Sequence, residues 1–328
     1  MNDDAKKKAK TECLVNYINN NRQQVGNLLV KSANQTMQDA AMMPEPEPLF
    51  REFWQTGEVC CLFASTGAGK SLLAVQIAEE IAKQQPVIFV DFELSDKQFE
   101  TRYKNPDTGT VHVFPDNFLR AAINYNIDAD EPDETNIIND IEDVAAEYGA
   151  KVLIVDNLTW LLSNAEKAQD AALFMKRLIA LKKQQGLSLL IIAHTPKRSD
   201  FEQLTWKDLA GSSKLSAFFD SIFCIGKDVN ESSGRYLKQI KVRNAAFTYH
   251  SENVLDARLL REPDGRTAFE FLGCSSERSH LQATEDKKRV EVLRMTHDGF
   301  TQRKIANMVG WSVGKVNKII NEKKTMNK

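Results

Sequence analysis

Short apolar runs alternate with longer amphipathic stretches between residues 59 and 195. The runs have the length and nearly continuous hydrophobicity of strands that are buried on both faces of a parallel sheet. The predicted strands are Val59–Ala64, Pro86–Glu93, Phe118–Asn124, Lys151–Asn157 and Leu187–Thr195. Helical periodicity fills the gaps, notably over Glu134–Tyr148 and Ala165–Gln185, and Gly186 is suited to end the second helix. This alternation predicts an α/β fold with a mostly parallel sheet.

The hydrophobic pattern changes after Gly211, where apolar runs follow one another with only short turns between them. These runs predict strands at Ser221–Gly226, Tyr236–Arg243, Leu255–Arg261 and Thr267–Leu272. The sequence Pro263-Asp264-Gly265 has the turn-forming composition that joins the last two runs as a hairpin. We therefore expect a mostly antiparallel extension of the parallel sheet.

The first 48 residues are polar, rich in asparagine and glutamine, and close on Pro44-Glu45-Pro46-Glu47-Pro48. This composition predicts a mobile or helical arm followed by a stiff linker. Phe50, Phe53 and Trp54 come directly afterwards. Their rings could pack the linker against the core or stack on a nucleotide base, and we favour packing. The predicted domains are residues 1–48, 49–278 and 284–328.

The residues from Thr284 onward are basic and have helical periodicity. Eleven lysines and arginines against five acidic residues give this segment a net charge of +6, whereas the whole chain carries −2. Helices are predicted at Asp286–Thr296, Thr301–Gly310 and Trp311–Ile320. Their predicted core consists of Val292, Ile305, Val309, Val316 and Ile320.

The last two predicted helices resemble a helix-turn-helix. In that arrangement Ser312, Lys315 and Lys318 would face the major groove of duplex DNA or its phosphates. The concentration of positive charge at this end of the chain also indicates an anionic partner. The alternatives are a charged helical lid on the core and a protein-docking module.

Overall composition limits the compartment and the partners. The near-neutral total charge argues against a nucleic-acid-binding surface that covers the whole molecule. The five cysteines have no metal-ligand spacing, and Cys60, Cys61 and Cys224 lie in apolar runs, which predicts buried thiols in a reducing compartment. No apolar run has the length of a signal peptide core or a membrane span. We expect a cytoplasmic protein without a membrane partner.

A glycine-containing loop, Ala64-Ser65-Thr66-Gly67-Ala68-Gly69-Lys70-Ser71, joins a predicted strand to a predicted helix. This context predicts a phosphate-binding loop whose backbone N–H groups surround the phosphates of a nucleoside triphosphate. Lys70 would supply positive charge, and the Ser71 hydroxyl would hold the Mg²⁺ of bound ATP. Alanine replaces the usual first glycine at position 64, which costs nothing if that residue is extended. The predicted nucleotide-binding residues are Ala64, Ser65, Thr66, Gly67, Ala68, Gly69, Lys70, Ser71 and Leu72.

Three further polar residues follow apolar strands at the edge where such loops bind nucleotides. Asp156 ends the strand Lys151–Asn157 in the manner of a Walker B aspartate and is the expected second Mg²⁺ ligand. Glu93 is the expected water-activating carboxylate, with Asp91 as its nearest competitor. His194 is expected to hydrogen-bond the γ-phosphate, the alternative being a loop-capping histidine.

A long polar and basic stretch follows His194. A loop of this length inside a compact domain is usually functional or mobile. Four cations in it are candidates to grip single-stranded DNA. These are Lys197, Arg198, Lys207 and Lys214.

The motif order, completed by Lys241-Val242-Arg243-Asn244, resembles a RecA-type ATPase of the plasmid RepA-like and DnaB-like hexameric helicase group. The resemblance covers roughly residues 50–275. It implies a ring of subunits with ATP at their boundaries. It also implies that Lys241 and Arg243 reach the neighbouring subunit's nucleotide, with Arg243 as the arginine finger. Ala245-Ala246 departs from the glycine-rich DnaB continuation, and the N-terminal helical domain of DnaB proteins has no counterpart, so RepA-like ATPases are the closer comparison.

The resemblance therefore implies a Mg-ATP-hydrolysing motor on DNA, assembled as a hexameric ring helicase that replicates or mobilises a plasmid or mobile element. Single-stranded DNA would occupy the ring channel, and duplex DNA would bind the C-terminal helices. The principal alternative is an ATP-switched, non-translocating DNA-binding regulator or helicase loader. A recombination or signalling ATPase of the RadA or KaiC type is a third possibility. In all three cases the chain is expected to be an ATPase.

Overall fold

The computed structural model of the chain describes residues 23–124, 134–157, 168–196, 198–209, 213–282 and 285–326. The chain divides into two compact units, Met1–Glu47 and Pro48–Lys328. The first contains an antiparallel hairpin of β1 (Gln23–Val25) and β2 (Leu28–Val30), followed by helix α1 (Ala33–Ala41). Helix α1 lies within the predicted arm, of which residues 1–22 fall outside the described residues. The hydrophobic pattern does not predict the hairpin, because its three-residue strands are too short to show a period.

The second unit is built on a nine-stranded sheet within the described residues. A short hairpin of β3 (Pro48–Phe50) and β4 (Trp54–Gln55) precedes this sheet. The nine strands are β5 (Val59–Ala64), β6 (Val87–Asp91), β7 (Phe118–Ala121), β8 (Val152–Asp156), β9 (Ser188–His194), β10 (Ser221–Lys227), β11 (Gly234–Lys241), β12 (Val254–Arg261) and β13 (Thr267–Ser275). Their order across the sheet is β13-β12-β11-β10-β5-β9-β8-β6-β7.

The predicted parallel core with an antiparallel extension is confirmed. Strands β7, β6, β8, β9, β5 and β10 pair in parallel, and β11, β12 and β13 add antiparallel. The boundary lies one strand later than the sequence pattern indicates, since β10 pairs in parallel with β5. The β12–β13 turn is closed by hydrogen bonds between Glu262 and Arg266 and from Gly265 N to Glu262 O, as Pro263-Asp264-Gly265 predicts.

Helices cover both faces of the sheet, which explains the continuous apolar runs. The helices of this part are α2 (Lys70–Ala82), α3 (Asp96–Arg102), α4 (Glu134–Glu147), α5 (Ala168–Gln185), α6 (Ser213–Ser216) and α7 (Glu277–Leu281). Residues 165–167 of the predicted helix lie outside the described residues, and Gly186 ends α5 with φ +67° as expected. No helix among the described residues is long and apolar enough to cross a membrane.

Alternate residues of β5 enter two separate hydrophobic clusters. Cys60 and Leu62 pack with α2, whereas Cys61 and Phe63 pack with α4 and α5. A strand that is buried on both faces must be apolar at every position, and β5 meets this requirement with Val-Cys-Cys-Leu-Phe-Ala. The thiols of Cys60, Cys61 and Cys224 are buried, as predicted.

The aromatic residues after the linker belong to the core. Phe53 and Trp54 are buried, and the Phe53 ring stacks on Tyr249 with ring centroids 4.7 Å apart. Phe53 also contacts Phe223 of β10 at a centroid distance of 5.0 Å. Packing of Phe53 and Trp54 within the core, rather than stacking on a base, is therefore the arrangement found.

Two predicted strands end earlier than their apolar runs. The run Phe118–Asn124 is a strand only to Ala121, and Pro86–Glu93 only to Asp91. At the end of β6 the Asp91 carboxylate accepts the N–H groups of Glu93 at 2.9 Å and Leu94 at 3.0 Å. This side-chain turn takes the chain out of the sheet, so Glu93 lies in a turn and not on the strand.

The C-terminal segment forms three helices, α8 (Glu285–His297), α9 (Gln302–Val309) and α10 (Val313–Met326). All five predicted core residues are buried between them, together with Met295, Ala306 and Ile319. Gly310 ends α9 in the left-handed region with φ +67°, and the Ser312 hydroxyl accepts Lys315 N at 3.2 Å at the start of α10.

The C-terminal helices contact the loop that follows β9. The Ser199 hydroxyl donates to Met308 O at 2.9 Å, and Phe201 packs against the core of the three helices. Lys287 also donates to Asn230 O in the turn after β10. The helical segment is thus packed against the same edge of the sheet at which β9 and β10 end.

A buried ion pair anchors this loop from its other side. Lys238 Nζ lies 2.5 Å from Glu277 Oε2 and donates to Leu204 O at 2.7 Å. Glu277 Oε1 accepts Leu204 N at 2.9 Å and the Tyr236 hydroxyl at 3.1 Å. Because Glu277 is fully buried, its charge depends on these donors.

Removal of one partner of the pair should be costly. Lys238→Met leaves the Glu277 carboxylate buried without its cation and should lower the free energy of unfolding by about 3 kcal/mol or more in urea unfolding followed by tryptophan fluorescence. Arg258→Met is the control, because Arg258 pairs with Glu270 at the surface and should change stability by less than about 1 kcal/mol. Equal losses in the two variants would contradict a structural role for the buried pair.

Candidate active site

The loop between β5 and α2 contains two glycines in the left-handed region of backbone conformation. Gly67 and Gly69 adopt φ values of +74° and +102°, which favour glycine. At Gly69 a Cβ atom would also lie 2.9 Å from the Phe269 ring of β13, so two constraints require glycine there. Ala64 is the last residue of β5 and pairs with His194 and Ile225, so its extended conformation tolerates a side chain, as predicted.

Lys70, Ser71 and Asp156 lie together at the start of α2. Lys70 Nζ donates to Ala64 O at 3.0 Å and to Ser65 O at 3.4 Å. Burial lowers the pKa of Lys70, and the charges of Asp156 and Glu93 oppose that shift. Burial raises the pKa of Asp156 to about 6, although a hydrogen bond with Ser71 acts in the other direction.

The oxygen atoms of Ser71 and Asp156 fit the Mg²⁺ that accompanies ATP. Mg²⁺ binds hard oxygen ligands and usually takes one or two from the protein and the rest from phosphates and water. A buried carboxylate beside a hydroxyl meets that requirement, and a bound cation would favour the ionised form of Asp156.

Glu93, Asn157 and His194 form a polar cluster beside the loop. Strands β6, β8 and β9 are neighbours in the sheet, so the residues at or after their carboxyl ends meet. His194 Nε2 lies 3.2 Å from Glu93 Oε1 and 2.9 Å from Asn157 Nδ2, and Asn157 Nδ2 also donates to Glu93. The His194 hydrogen bond lowers the pKa of Glu93, against the opposing effect of burial, so the carboxylate is ionised at neutral pH.

The Asp91 carboxylate is occupied by hydrogen bonds within the chain. Besides the two N–H groups of the turn, its carboxylate accepts Arg120 Nε at 3.0 Å, and the residue is buried. Arg120 also donates to the Asp96 carboxylate at 2.6 Å and to Leu94 O. These hydrogen bonds hold the turn that carries Glu93. The Glu93 side chain is 38% exposed, so this carboxylate, and not Asp91, is available to a water molecule.

Lys241 and Arg243 lie at the opposite edge of the sheet from the loop. Lys241 is opposite Ile222 at the start of β10, whereas Ile225, further along β10, is level with Ala64 at the end of β5. Arg243 donates to Asp220 at 2.7 Å, and Asp220 also accepts the N–H of Val59, the first residue of β5. At about 3.3 Å per residue, the length of β5 separates Arg243 from its own chain's phosphate-binding loop by more than ~15 Å.

Of the four predicted single-strand contacts, Lys197 and the Lys214 side chain lie outside the described residues. Arg198 is only 11% exposed and serves the loop itself, donating to Glu202 O and Gln203 O and pairing with Asp208 at 3.2 Å. Lys207 is exposed and lies 5.8 Å from the ring centroid of Trp206, which is itself 48% exposed. Lys207 with Trp206 is thus the exposed pair that this loop presents.

The three predicted duplex contacts occupy the start of α10. Ser312 and Lys318 are exposed. Lys315 is partly buried, lies 4.1 Å from the centroid of the Trp311 ring and pairs with Glu285. The partners of Lys315 lie within the three-helix segment, so Lys318 is the more accessible cation.

Three residues of the site escape sequence reasoning. Asn157 follows Asp156 directly, so its position was a usable signal. Lys227 donates to Thr66 O at 3.0 Å, and Arg235 donates to Ala68 O at 3.0 Å. Neither has a sequence signal, because only the pairing of β10 with β5 brings residues so distant in the chain to the loop.

A family model described as an AAA domain matches residues 29–200, slightly more than half of the chain. The matched segment contains the phosphate-binding loop, Glu93, Asp156 and His194. A search of curated proteins found no match to the chain.

The geometry distinguishes Glu93 from Asp91 in turnover. Glu93→Gln should bind ATP normally but lower the steady-state hydrolysis rate by on the order of 100-fold, because the amide cannot accept a proton from water. Asp91→Asn is the comparison: its amide oxygen can still accept the two N–H groups of the turn although the ion pair with Arg120 is lost, so its turnover should fall less than that of Glu93→Gln. Near-normal turnover in Glu93→Gln together with a crippled Asp91→Asn would reassign the base.

Proposed function

This chain belongs to the AAA-domain family of P-loop ATPases, and we propose that it is a Mg-ATP-hydrolysing motor that acts on DNA. The closest functional type is a RepA-like or DnaB-like cytoplasmic ring helicase of a plasmid or mobile element. One observation carries the proposal. Lys241 and Arg243 lie at the sheet edge opposite their own phosphate-binding loop, so they can act on a nucleotide only in a neighbouring copy.

Within one subunit, each residue has a defined task. The loop N–H groups and Lys70 would hold the phosphates, and Ser71 and Asp156 would hold Mg²⁺, which would neutralise phosphate charge. Glu93 orients and deprotonates the attacking water. His194 and Asn157 keep the Glu93 carboxylate in place through their hydrogen bonds. Because His194 ends β9, a change at the γ-phosphate would be passed to the loop that begins at Thr195.

Arg243 would complete the site of the adjacent subunit. Its side chain is 58% exposed, so part of the guanidinium faces solvent although one nitrogen pairs with Asp220. Lys241 Nζ is fixed by Ser216 O at 3.0 Å and Phe219 O at 2.7 Å. A guanidinium from a neighbour suits the charge that spreads over the phosphoryl oxygens in the transition state.

DNA would be held by two separate surfaces. Lys207 pairs a cation with the exposed Trp206 ring, which is the combination that binds phosphates and stacks on bases of single strands. Two contacts of Asp208 close the turn that carries them: its Oδ2 accepts Thr205 N at 2.7 Å, and its other oxygen pairs with Arg198. The basic C-terminal helices would bind duplex DNA through Ser312, Lys315 and Lys318.

A second function is favoured by the contact between the C-terminal helices and the loop after β9. Since Ser199 and Phe201 join that loop to α9 and the core of the three helices, nucleotide state could set DNA binding without translocation. The protein would then be an ATP-switched regulator or loader. Strand separation on a forked substrate with ATP distinguishes the motor from the regulator, which would bind the fork without opening it.

The proposed action of Arg243 in a neighbour predicts complementation between inactive variants. Arg243→Ala and Lys70→Ala should each lose ATP turnover, by ~1,000-fold or more for the finger. Mixed assemblies should recover activity, because an intact loop can sit beside an intact Arg243. The mixture is measured by ATP hydrolysis, with Arg258→Ala plus Lys70→Ala as the control for simple dilution. A mixture as inactive as its components, in assemblies shown to be mixed, would rule out the role in trans.

The proposed duplex contact predicts a salt-dependent loss. Lys318→Ala should weaken duplex binding independently of sequence and reduce the slope of log affinity against log salt by about 1, because one phosphate contact is lost. Lys83→Ala, an exposed lysine at the end of α2, is the control. A point variant is preferable to truncation, which would uncover Phe201. An unchanged slope in Lys318→Ala would favour the protein-docking alternative.

A further inference from the structure

Two cationic side chains, Lys227 and Arg235, donate hydrogen bonds to three consecutive carbonyl oxygens of the phosphate-binding loop. Lys227 Nζ donates to Thr66 O at 3.0 Å. Arg235 donates through NH2 to Gly67 O at 3.3 Å and through Nε to Ala68 O at 3.0 Å. Since Lys70 donates to the two preceding carbonyls, every carbonyl from Ala64 to Ala68 has a cationic donor.

Arg235 is built into the protein at an energetic cost. The residue is only 6% exposed, and burial lowers the pKa of its guanidinium, with Asp200 opposing the shift. Its remaining hydrogen bonds go to Ser232 O at 2.9 Å and Gly234 O at 2.6 Å. In the described part of the chain, all of its hydrogen-bond acceptors are therefore backbone carbonyls. A buried charge without a hydrogen-bonded carboxylate suggests that the positive charge itself is needed at this place.

The direction of the carbonyls fixes the direction of the N–H groups. In a planar trans peptide the C=O and the following N–H point to opposite sides. Carbonyls of Thr66 and Ala68 that face the two cations therefore turn the N–H groups of Gly67 and Gly69 to the other side of the loop. The intervening N–H of Ala68 closes the turn on Ser65 O at 3.2 Å. Contacts within the chain thus fix the orientation of the anion-binding face of the loop.

We propose that Arg235 and Lys227 are positioning residues of the phosphate-binding loop, which hold its carbonyls and pre-orient its N–H groups for the β- and γ-phosphates of a nucleotide. The inference rests on the proposed nucleotide-binding function and deepens it. Neither residue needs to touch the nucleotide. Their charges and the hydrogen-bonded peptides act together, because a donor at the carbonyl polarises the N–H on the other side. The ligand class favoured is one with a pyrophosphate group.

The prediction is a loss of phosphate affinity with little loss of maximal rate. Arg235→Met should raise the dissociation constants of ATP, ADP and inorganic pyrophosphate by ~10-fold or more, because charge-assisted hydrogen bonds to the loop are lost. Lys227→Met should raise them by ~3-fold or more, since it removes one donor. Arg235→Lys restores the charge but not the fork, so its affinity should be intermediate. KM for ATP should rise in parallel, whereas kcat at saturating ATP should stay within ~3-fold.

The experiment uses the full chain. Binding of fluorescent ADP and ATP analogues is measured with Mg²⁺ and with EDTA, and pyrophosphate is added as competitor. Arg258→Met on the adjacent strand β12 is the control, because its surface pair with Glu270 does not contact the loop. The effect should persist in EDTA, since neither residue is a metal ligand. Melting temperatures without nucleotide report any loss of stability.

Each outcome has a definite meaning. Wild-type nucleotide affinity in Arg235→Met, together with a lowered melting temperature, would overturn the proposal. Arg235 would then only stabilise the β10–β11 turn. A collapse of kcat at unchanged affinity would also overturn the proposal. If Arg235→Met does not fold, unchanged nucleotide affinity in both Arg235→Lys and Lys227→Met would overturn the proposal. A wild-type protein that binds neither nucleotide nor pyrophosphate would instead overturn the proposed function itself.

Discussion

The parallel pairing of β5 with β9 on one side and β10 on the other is the constraint on which the site depends. It places the phosphate-binding loop, His194 and Lys227 at one edge, since parallel strands end together. Burial of β5 on both faces maintains this arrangement, because any polar side chain within it would enter one of the two hydrophobic clusters. The same pairing places the start of β10 at the opposite edge of the sheet. Asp220 and its partner Arg243 lie there, away from the phosphate-binding loop.

Charged side chains that are buried or partly buried stabilise the irregular segments around this sheet. Arg235 holds the phosphate-binding loop, Arg120 holds the turn that carries Glu93, and Lys238 with Glu277 holds the loop after β9. In each case a side chain on a strand bonds to the backbone of a loop. Loops lack the hydrogen-bond ladders of helices and strands, so their backbone groups need such partners when they are buried.

The loop from Thr195 to Leu209 connects the chemistry with the C-terminal helices. It begins beside His194, bonds to α9 through Ser199 and is fixed at Leu204 by the buried ion pair. Between His194 and the exposed end of the loop there are therefore two fixed points, Ser199 and Leu204. The Trp206 and Lys207 side chains lie beyond the second anchor. A displacement of His194 is therefore expected to act on the contact between Ser199 and α9 before it can reach the exposed pair.

The sequence by itself determined the nine strands of the main sheet, the phosphate-binding loop and the C-terminal helical core, because these follow from local periodicity and from short spacing. It also indicated Lys70 through the glycine-containing loop, and Asp156 and Glu93 as residues at the ends of apolar runs. It did not reveal that Asp91 ends β6 in a side-chain turn, since the apolar run continues through Phe92. Only the tertiary structure brought Arg235 and Lys227 to the loop and separated Arg243 from it. The physical reason is that strand order and register depend on pairings between residues more than 150 positions apart, to which local sequence patterns are insensitive.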